Sequence, residues 1–198
     1  PGPGRLLGLQ RHRVVRVLPL LQLDHVAEKI GAVNCIKINR SSAEKITLKG
    51  FNTDSHGFEV PLLECLLPHH NKALILGTGG ASKAVAYVLE KHQIAFQYIS
   101  RKPKSADILS YTDITAKMIS EHTLIINTSP AGMYPNISTC PDIPYQAISN
   151  RHILYDLVYN PEKTLFLKKG EERGAILING LPMLHLQAEK SWDIWNAD

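Results

Sequence analysis

The sequence predicts an α/β fold built on a parallel sheet that carries helices on both faces. Two observations lead to that reading. Short apolar runs, among them Lys72–Leu76 and Leu124–Asn127, alternate with longer segments of helical spacing, and strands buried on both faces read as such near-continuous apolar runs. Between one of these strands and the helix after it stands a glycine-rich turn, Gly77-Thr-Gly79-Gly80. Neither a repeat of solenoid period nor a low-complexity tract competes with this reading.

Taken in order, Asp24 can cap a short helix ending at Lys29, and 32–38 and 46–50 read as strands on either side of a polar turn at 39–44. Within 51–67, Phe58, Leu62, Leu63 and Leu66 recur at helical spacing, which confines Pro61 to the first turn and sets Asp54 at or just before the helix start. The connector 68–71 holds His69 and His70, read as solvated surface. The alternation then runs through strand 72–76, helix 80–92, strand 94–99, a helix near 112–120, strands 124–127 and 153–157, helix 161–173, strand 175–178 and a final helix 181–195.

With 198 residues, 44% hydrophobic and 20% charged, the chain can bury a real core. No apolar run approaches the roughly 18 residues of a membrane span, and no signal-peptide pattern stands out, so a soluble cytoplasmic protein is expected. The three cysteines, Cys35, Cys65 and Cys140, form no CxxC pair, which points away from a disulfide framework and from a metal site. The net charge of +4 comes from Arg5, Arg11, Arg13 and Arg16, within an opening of 23 residues that has no acid and no Lys. The rest of the chain is neutral, which removes the case for a nucleic-acid binder.

The glycine turn carries the first chemistry. Gly77, Gly79 and Gly80, followed by Ala81 and Ser82, lie between a buried strand and a helix start, where free N–H groups and the helix dipole attract phosphate oxygens. Ser82 departs from a strict third glycine. After the next strand, where an NAD enzyme places an acid for the ribose hydroxyl, the chain reads Ser100-Arg101-Lys102-Pro-Lys104. The planar fork of Arg101, with Lys102 or Lys104 adding field, suits a 2′-phosphate, so NADP is favoured over NAD. The bland alternative is a solvated basic loop.

These two elements join five further strings: Ile30-Gly-Ala-Val-Asn34, Gly50-Phe-Asn-Thr-Asp54-Ser-His-Gly57, Asn127-Thr-Ser-Pro-Ala-Gly-Met133, Tyr155-Asp-Leu-Val-Tyr159-Asn-Pro161 and Asn179-Gly180-Leu-Pro-Met-Leu-His-Leu-Gln187. In order and spacing they resemble the shikimate dehydrogenase family over residues 24–198. The resemblance implies reversible, NADPH-dependent reduction of 3-dehydroshikimate to shikimate, a step of chorismate and aromatic amino acid biosynthesis. It implies a Rossmann-like parallel-sheet domain over 67–178, a partial N-terminal α/β substrate domain over 1–66, and a C-terminal helix, 179–198, that returns to complete it. Asp54 matches the family's catalytic Asp, which works beside a Lys; Asn34 and Gln187 match ligands of substrate hydroxyls; Tyr159 matches a residue between substrate and nicotinamide. Leu157 and Gly180 match positions near the nicotinamide, and Gly77 to Ser82 the diphosphate site. Read without the family, Asn34 and Asn52 could simply hold turns, Tyr159 could be core and Gln187 a helix-surface amide. The implied form is a monomer or homodimer acting on a small molecule, with neither a nucleic acid nor a membrane as partner.

One departure stands out. The family's Asn-Val-Thr-x-Pro-x-Lys string, which carries the Lys, should fall near residues 10–16, where the chain reads Gln-Arg-His-Arg-Val-Val-Arg. Codons CTT CAA CGT CAC CGT for residues 9–13, shifted by one base, would read Phe-Asn-Val-Thr. Residues 1–22 are therefore expected to be truncated or out-of-frame sequence, with impaired turnover, and the alternative function is a non-catalytic NADP-binding module. Arg16 is no substitute, because a guanidinium hardly gives up its proton.

Overall fold

A computed structural model of the chain describes residues 22–40 and 46–197. The expectations for the opening residues, including the position of the missing Lys, lie outside these.

The described chain begins with strand β1 (Gln22–Leu23) and helix α1 (His25–Ile30). Asp24 caps that helix, its carboxylate accepting from the Ala27 N–H at 2.8 Å, and Gly31 ends it at φ 65°. Strands β2 (Cys35–Arg40) and β3 (Ile46–Phe51) pair antiparallel, and β1 adds parallel to β3. The result is a three-stranded sheet of order β1-β3-β2.

Helix α2 (Asp54–Cys65) follows, and here one expectation fails. Pro61 lies in the helix interior, where it removes a bond to the carbonyl four residues back. The helix persists because Phe58, Pro61 and Leu62 are buried, so tertiary packing outweighs local propensity. The connector brings a second correction. His70 is only 2% exposed: its Nδ1 accepts from the Leu67 N–H at 2.9 Å and its Nε2 lies 3.0 Å from the Arg151 carbonyl. A ring that can meet two backbone groups with neither nitrogen left over is easily buried.

Strands β4 (Lys72–Leu76), β5 (Ala95–Ser100), β6 (Ile108–Ser110), β7 (Leu124–Asn127), β8 (Ile153–Asp156) and β9 (Ile176–Ile178) form a second sheet, of order β6-β5-β4-β7-β8-β9. All of its neighbouring strands run parallel. The sequence reading missed β6. Residues alternate between two cores: Ala73, Ile75, Leu124, Ile126 and Ile153 face one, and Leu74, Leu76, Ile125 and Leu154 face the other. Helix α3 (Gly80–Lys91) covers the first face together with α2. The second face is covered by α4 (Ala116–Glu121) and α5 (Leu165–Glu171).

Both of those last helices are shorter than their patterns suggested. Residues 111–113 form a separate 3-10 turn capped by Ser110. Thr164, whose hydroxyl accepts from the Leu167 N–H, starts α5 later than Pro161. Helix α6 (Gly180–Asn196) runs back to pack on α2 and β2, and Trp195 Nε1 donates to the Ile36 carbonyl at 3.1 Å. The α2–α6 crossing is tight at Gly57, where a Cβ would stand 2.5 Å from the Met183 carbonyl oxygen and 3.1 Å from Gln187 Cβ.

Candidate active site

Strand order reverses between β4 and β7, and in open α/β sheets the crevice beyond the strand ends at such a point is where ligands bind. Gly77 ends β4 there with φ +121°. A Cβ on it would stand 2.7 Å from Thr128 Oγ1 and 3.3 Å from the Ser129 N, so the glycine lets the two loops touch. Gly79 is the N-cap of α3 and no side chain caps it. A Cβ at Gly79 or Gly80 would meet nothing within 4 Å, so the backbone at the start of the helix is open to the approach of a ligand. Ser82 serves the turn from within: it is buried, and its hydroxyl donates to the Gly79 carbonyl at 2.6 Å. Gly80 and Ala81 are the residues at the mouth.

Arg101 follows β5 and lines a cavity of about 640 Å³, together with Ser110, Tyr111, Ser129, Ala131 and Asp142. Lys102 and Lys104 are exposed beside it without lining it. Further along the crest, Leu157 and Gly180 meet: a Cβ on Gly180 would fall 2.3 Å from the Leu157 carbonyl oxygen, and the Gly180 N–H donates to the Val158 carbonyl at 3.1 Å. An open helix start, a glycine-lined approach and a guanidinium at a roomy cavity suit a phosphorylated dinucleotide.

On the other side of α2, three predicted residues come together. Asn34 Nδ2 donates to Asp54 Oδ1 at 2.7 Å and to Thr53 Oγ1 at 3.0 Å, while its Oδ1 accepts from the Thr53 N–H at 2.8 Å. Asp54 opens α2, where the helix dipole favours an anion. Gln187 reaches in from α6, with Oε1 3.5 Å from Thr53 Oγ1. Thr53, 1% exposed, is the hub that the sequence reading did not single out. Ser191 Oγ donates to the Gln187 carbonyl at 2.8 Å and lies 3.1 Å from Thr53 Oγ1. The cluster is a partly buried carboxylate that accepts from the side-chain amide of exposed Asn34, with the Thr53 hydroxyl beside that amide, and it can bind polyhydroxy compounds and handle a proton.

Asn52 holds a turn, as its bland reading had it, donating to the Ala32 carbonyl and accepting from the Ser55 N–H. Tyr159 is 49% exposed beyond β8; it is not core, and among the described residues it makes no hydrogen bond to the Asn34–Asp54 cluster. Buried Asp156 ends β8, and burial pushes it up to about 6 against the donors around it. Among the described residues no helix is long and apolar enough to cross a membrane.

No protein-family model matches the chain. The chain is 35% identical over 202 residues to the shikimate dehydrogenase (NADP(+)) of Desulforamulus reducens, covering 92% of itself and 68% of that protein. Among solved structures, a chorismate mutase/shikimate 5-dehydrogenase fusion protein from Clostridium acetobutylicum superposes with TM-score 0.76 at 34% identity, over 92% of this chain and 68% of that one. A 5-ketofructose reductase of Gluconobacter superposes with TM-score 0.80 at 27% identity, over 93% and 70%. The same fold is thus shared with a reductase named for a different ketone, at lower identity than the Desulforamulus and Clostridium dehydrogenases. The chain belongs to the shikimate dehydrogenase family.

Proposed function

We propose that the chain binds NADPH along the crest of the parallel sheet and reduces 3-dehydroshikimate, reversibly, to shikimate. The observation that supports this most directly is the glycine turn at the strand-order reversal, where Gly77 packs against Thr128 and Ser129, and Ser129 lines the Arg101 cavity. In this reading Gly77, Gly79, Gly80, Ala81 and Ser82 form the diphosphate cradle, and Arg101, helped by Lys102 and Lys104, holds the 2′-phosphate. Leu157 and Gly180 flank the nicotinamide. When bound, NADPH supplies the hydride.

The chain's own groups do the rest. Asn34, Tyr159 and Gln187 orient the substrate, and Asp54 holds the charge and hydrogen-bonding pattern for proton transfer at the ketone oxygen. In the proposed division into 1–66, 67–178 and 179–198, the first segment supplies Asn34 and Asp54, the second supplies Tyr159 and most of the cofactor residues, and the third supplies Gly180 and Gln187. A cytoplasmic monomer or homodimer is the form we propose, and the free thiols of Cys35, Cys65 and Cys140 suit a reducing compartment.

A second reading, an NADP-binding module without turnover, is favoured by Gln-Arg-His-Arg-Val-Val-Arg standing where the family has its Lys. One experiment separates them. The chain is titrated with NADPH and NADH, then assayed with 3-dehydroshikimate beside a version whose opening carries the family string with Lys. Tighter binding of NADPH than NADH is expected, with the preference cut roughly tenfold or more in Arg101→Gln, which loses a charge-assisted bond. Turnover in the restored chain supports the enzyme reading. NADPH binding with no turnover in either version supports the module.

A further inference from the structure

Beneath the crest lies a polar group that the packing of the sheet does not require. Asn127, Asp156 and Thr164 are each 0% exposed. Asp156 Oδ1 accepts from Asn127 Nδ2 at 2.9 Å and from the Val158 N–H at 3.0 Å, and Oδ2 accepts from the Thr164 hydroxyl at 2.5 Å. Its neighbours in turn hold the loop after β7. Asn127 Oδ1 accepts from the Ser129 N–H at 3.1 Å and from the Ser129 hydroxyl at 2.7 Å, and Asn127 Nδ2 also donates to the Ala131 carbonyl at 3.3 Å. Thr164 backs the next residue of that loop: a Cβ on Gly132 would stand 3.2 Å from Thr164 Cβ.

Ser129 and Ala131 line the Arg101 cavity, and the Ser129 N lies against Gly77. The same network therefore reaches both the cavity wall and the glycine turn. Burying a carboxyl costs free energy that its three donors offset only in part. The flanking β8 residues Ile153 and Leu154 show that apolar side chains fill this strand's core positions, so sheet packing does not call for an acid here. A fully connected buried network does, however, fix the geometry of what hangs from it.

We propose that Asp156 is a positioning residue for cofactor binding: by joining Asn127 to Thr164 it sets the loop 128–132 as the cavity wall opposite Arg101. The inference rests on reading that cavity as the site of the 2′-phosphoadenosine half of NADP. It needs no turnover to be tested, only binding.

The full chain and its Asp156→Ala, Asp156→Asn, Thr164→Val and Thr164→Ser variants are titrated with 2′,5′-ADP by calorimetry and with NADPH by fluorescence, folding being checked by thermal melting. Asp156→Ala should weaken 2′,5′-ADP binding by roughly 10- to 100-fold, the scale of a misplaced positioning contact. Asp156→Asn keeps the acceptor for Asn127 and Val158 and can still bond Thr164, so it should restore most of the affinity. Thr164→Val removes only the hydroxyl and should weaken binding, and Thr164→Ser should restore it; this pair decides the matter if Asp156→Ala does not fold. A folded Asp156→Ala or Thr164→Val chain that binds 2′,5′-ADP like the parent overturns the proposal. A parent chain that binds neither probe overturns the NADP reading, and the proposal with it.

Discussion

The two halves of the site are built by different means. On the proposed cofactor side, the Arg101 side chain apart, the groups are backbone: a glycine turn and a helix start, held by a sheet whose strands alternate between two cores. On the proposed substrate side they are side chains, Asn34, Thr53, Asp54 and Gln187, drawn from β2's leading edge, α2 and α6. A backbone site is damaged by adding atoms, and a side-chain site by removing them. Mutations of opposite character should therefore separate the halves.

The largest effect is expected for Gly77→Ala. The new Cβ would combine a left-handed φ of +121° with a 2.7 Å approach to Thr128 Oγ1. Backbone strain and overpacking together should cost roughly 3 kcal/mol or more. Melting temperature should fall and NADPH affinity with it, while shikimate binding at the Asn34–Asp54 cluster should be much less affected in whatever fraction remains folded. Equal loss of both ligands would show that the two halves are not separable.

Thr53→Val tests the opposite case. It preserves shape and removes the hydroxyl that meets Asn34 and buried Ser191, a loss of hydrogen bonding that costs about 1 kcal/mol. No side-chain capping bond is lost, because Thr53 makes none to α2. Denaturation should show the destabilisation and shikimate affinity should drop, with NADPH affinity within error of the parent. A parallel drop in NADPH affinity would mean that α2 transmits the change to α3, which packs against it.

The same contrast explains how much the sequence revealed. Strands such as Lys72–Leu76 and Leu124–Asn127 were legible to the residue because burial on both faces leaves no polar interruption. The glycine turn was legible because backbone sites demand particular residues in sequence. Thr53 was not, since its partners Asn34 and Gln187 lie 19 and 134 residues away along the chain, and a threonine in a loop carries no local mark of them. Asn34, Asp54 and Gln187 were reached through family resemblance, and periodicity did not mark them. Pro61 and His70 were misread for one shared reason. Each was judged by local preference, while tertiary packing around α2 and the backbone partners of His70 decided its environment.

The base and the crest of the parallel sheet also differ in how they respond to acid. Beside β4 at the base, burial lowers the His70 imidazole below its ordinary range, with Arg151, His69 and His152 nearby adding to the effect against the Arg151 carbonyl bond. Its folded affinity for protons is below the unfolded one, so its contribution to stability is present above the unfolded value of about 6.5 and is lost as pH falls. At the crest Asp156 has the opposite sign. Its folded value, pushed up to about 6, exceeds the unfolded one, so keeping it charged at neutral pH costs stability, which returns as pH falls through about 6. In the parent chain the two slopes oppose each other. Urea denaturation between about pH 7 and pH 5 should show stability falling on acidification in Asp156→Asn, where only His70 titrates of the pair. In His70→Asn, which keeps an acceptor for the Leu67 N–H, stability should hold or rise. The same slope in both variants would mean that neither group controls acid response, and that the buried carboxyl at the crest is protonated or hydrated differently from its surroundings here.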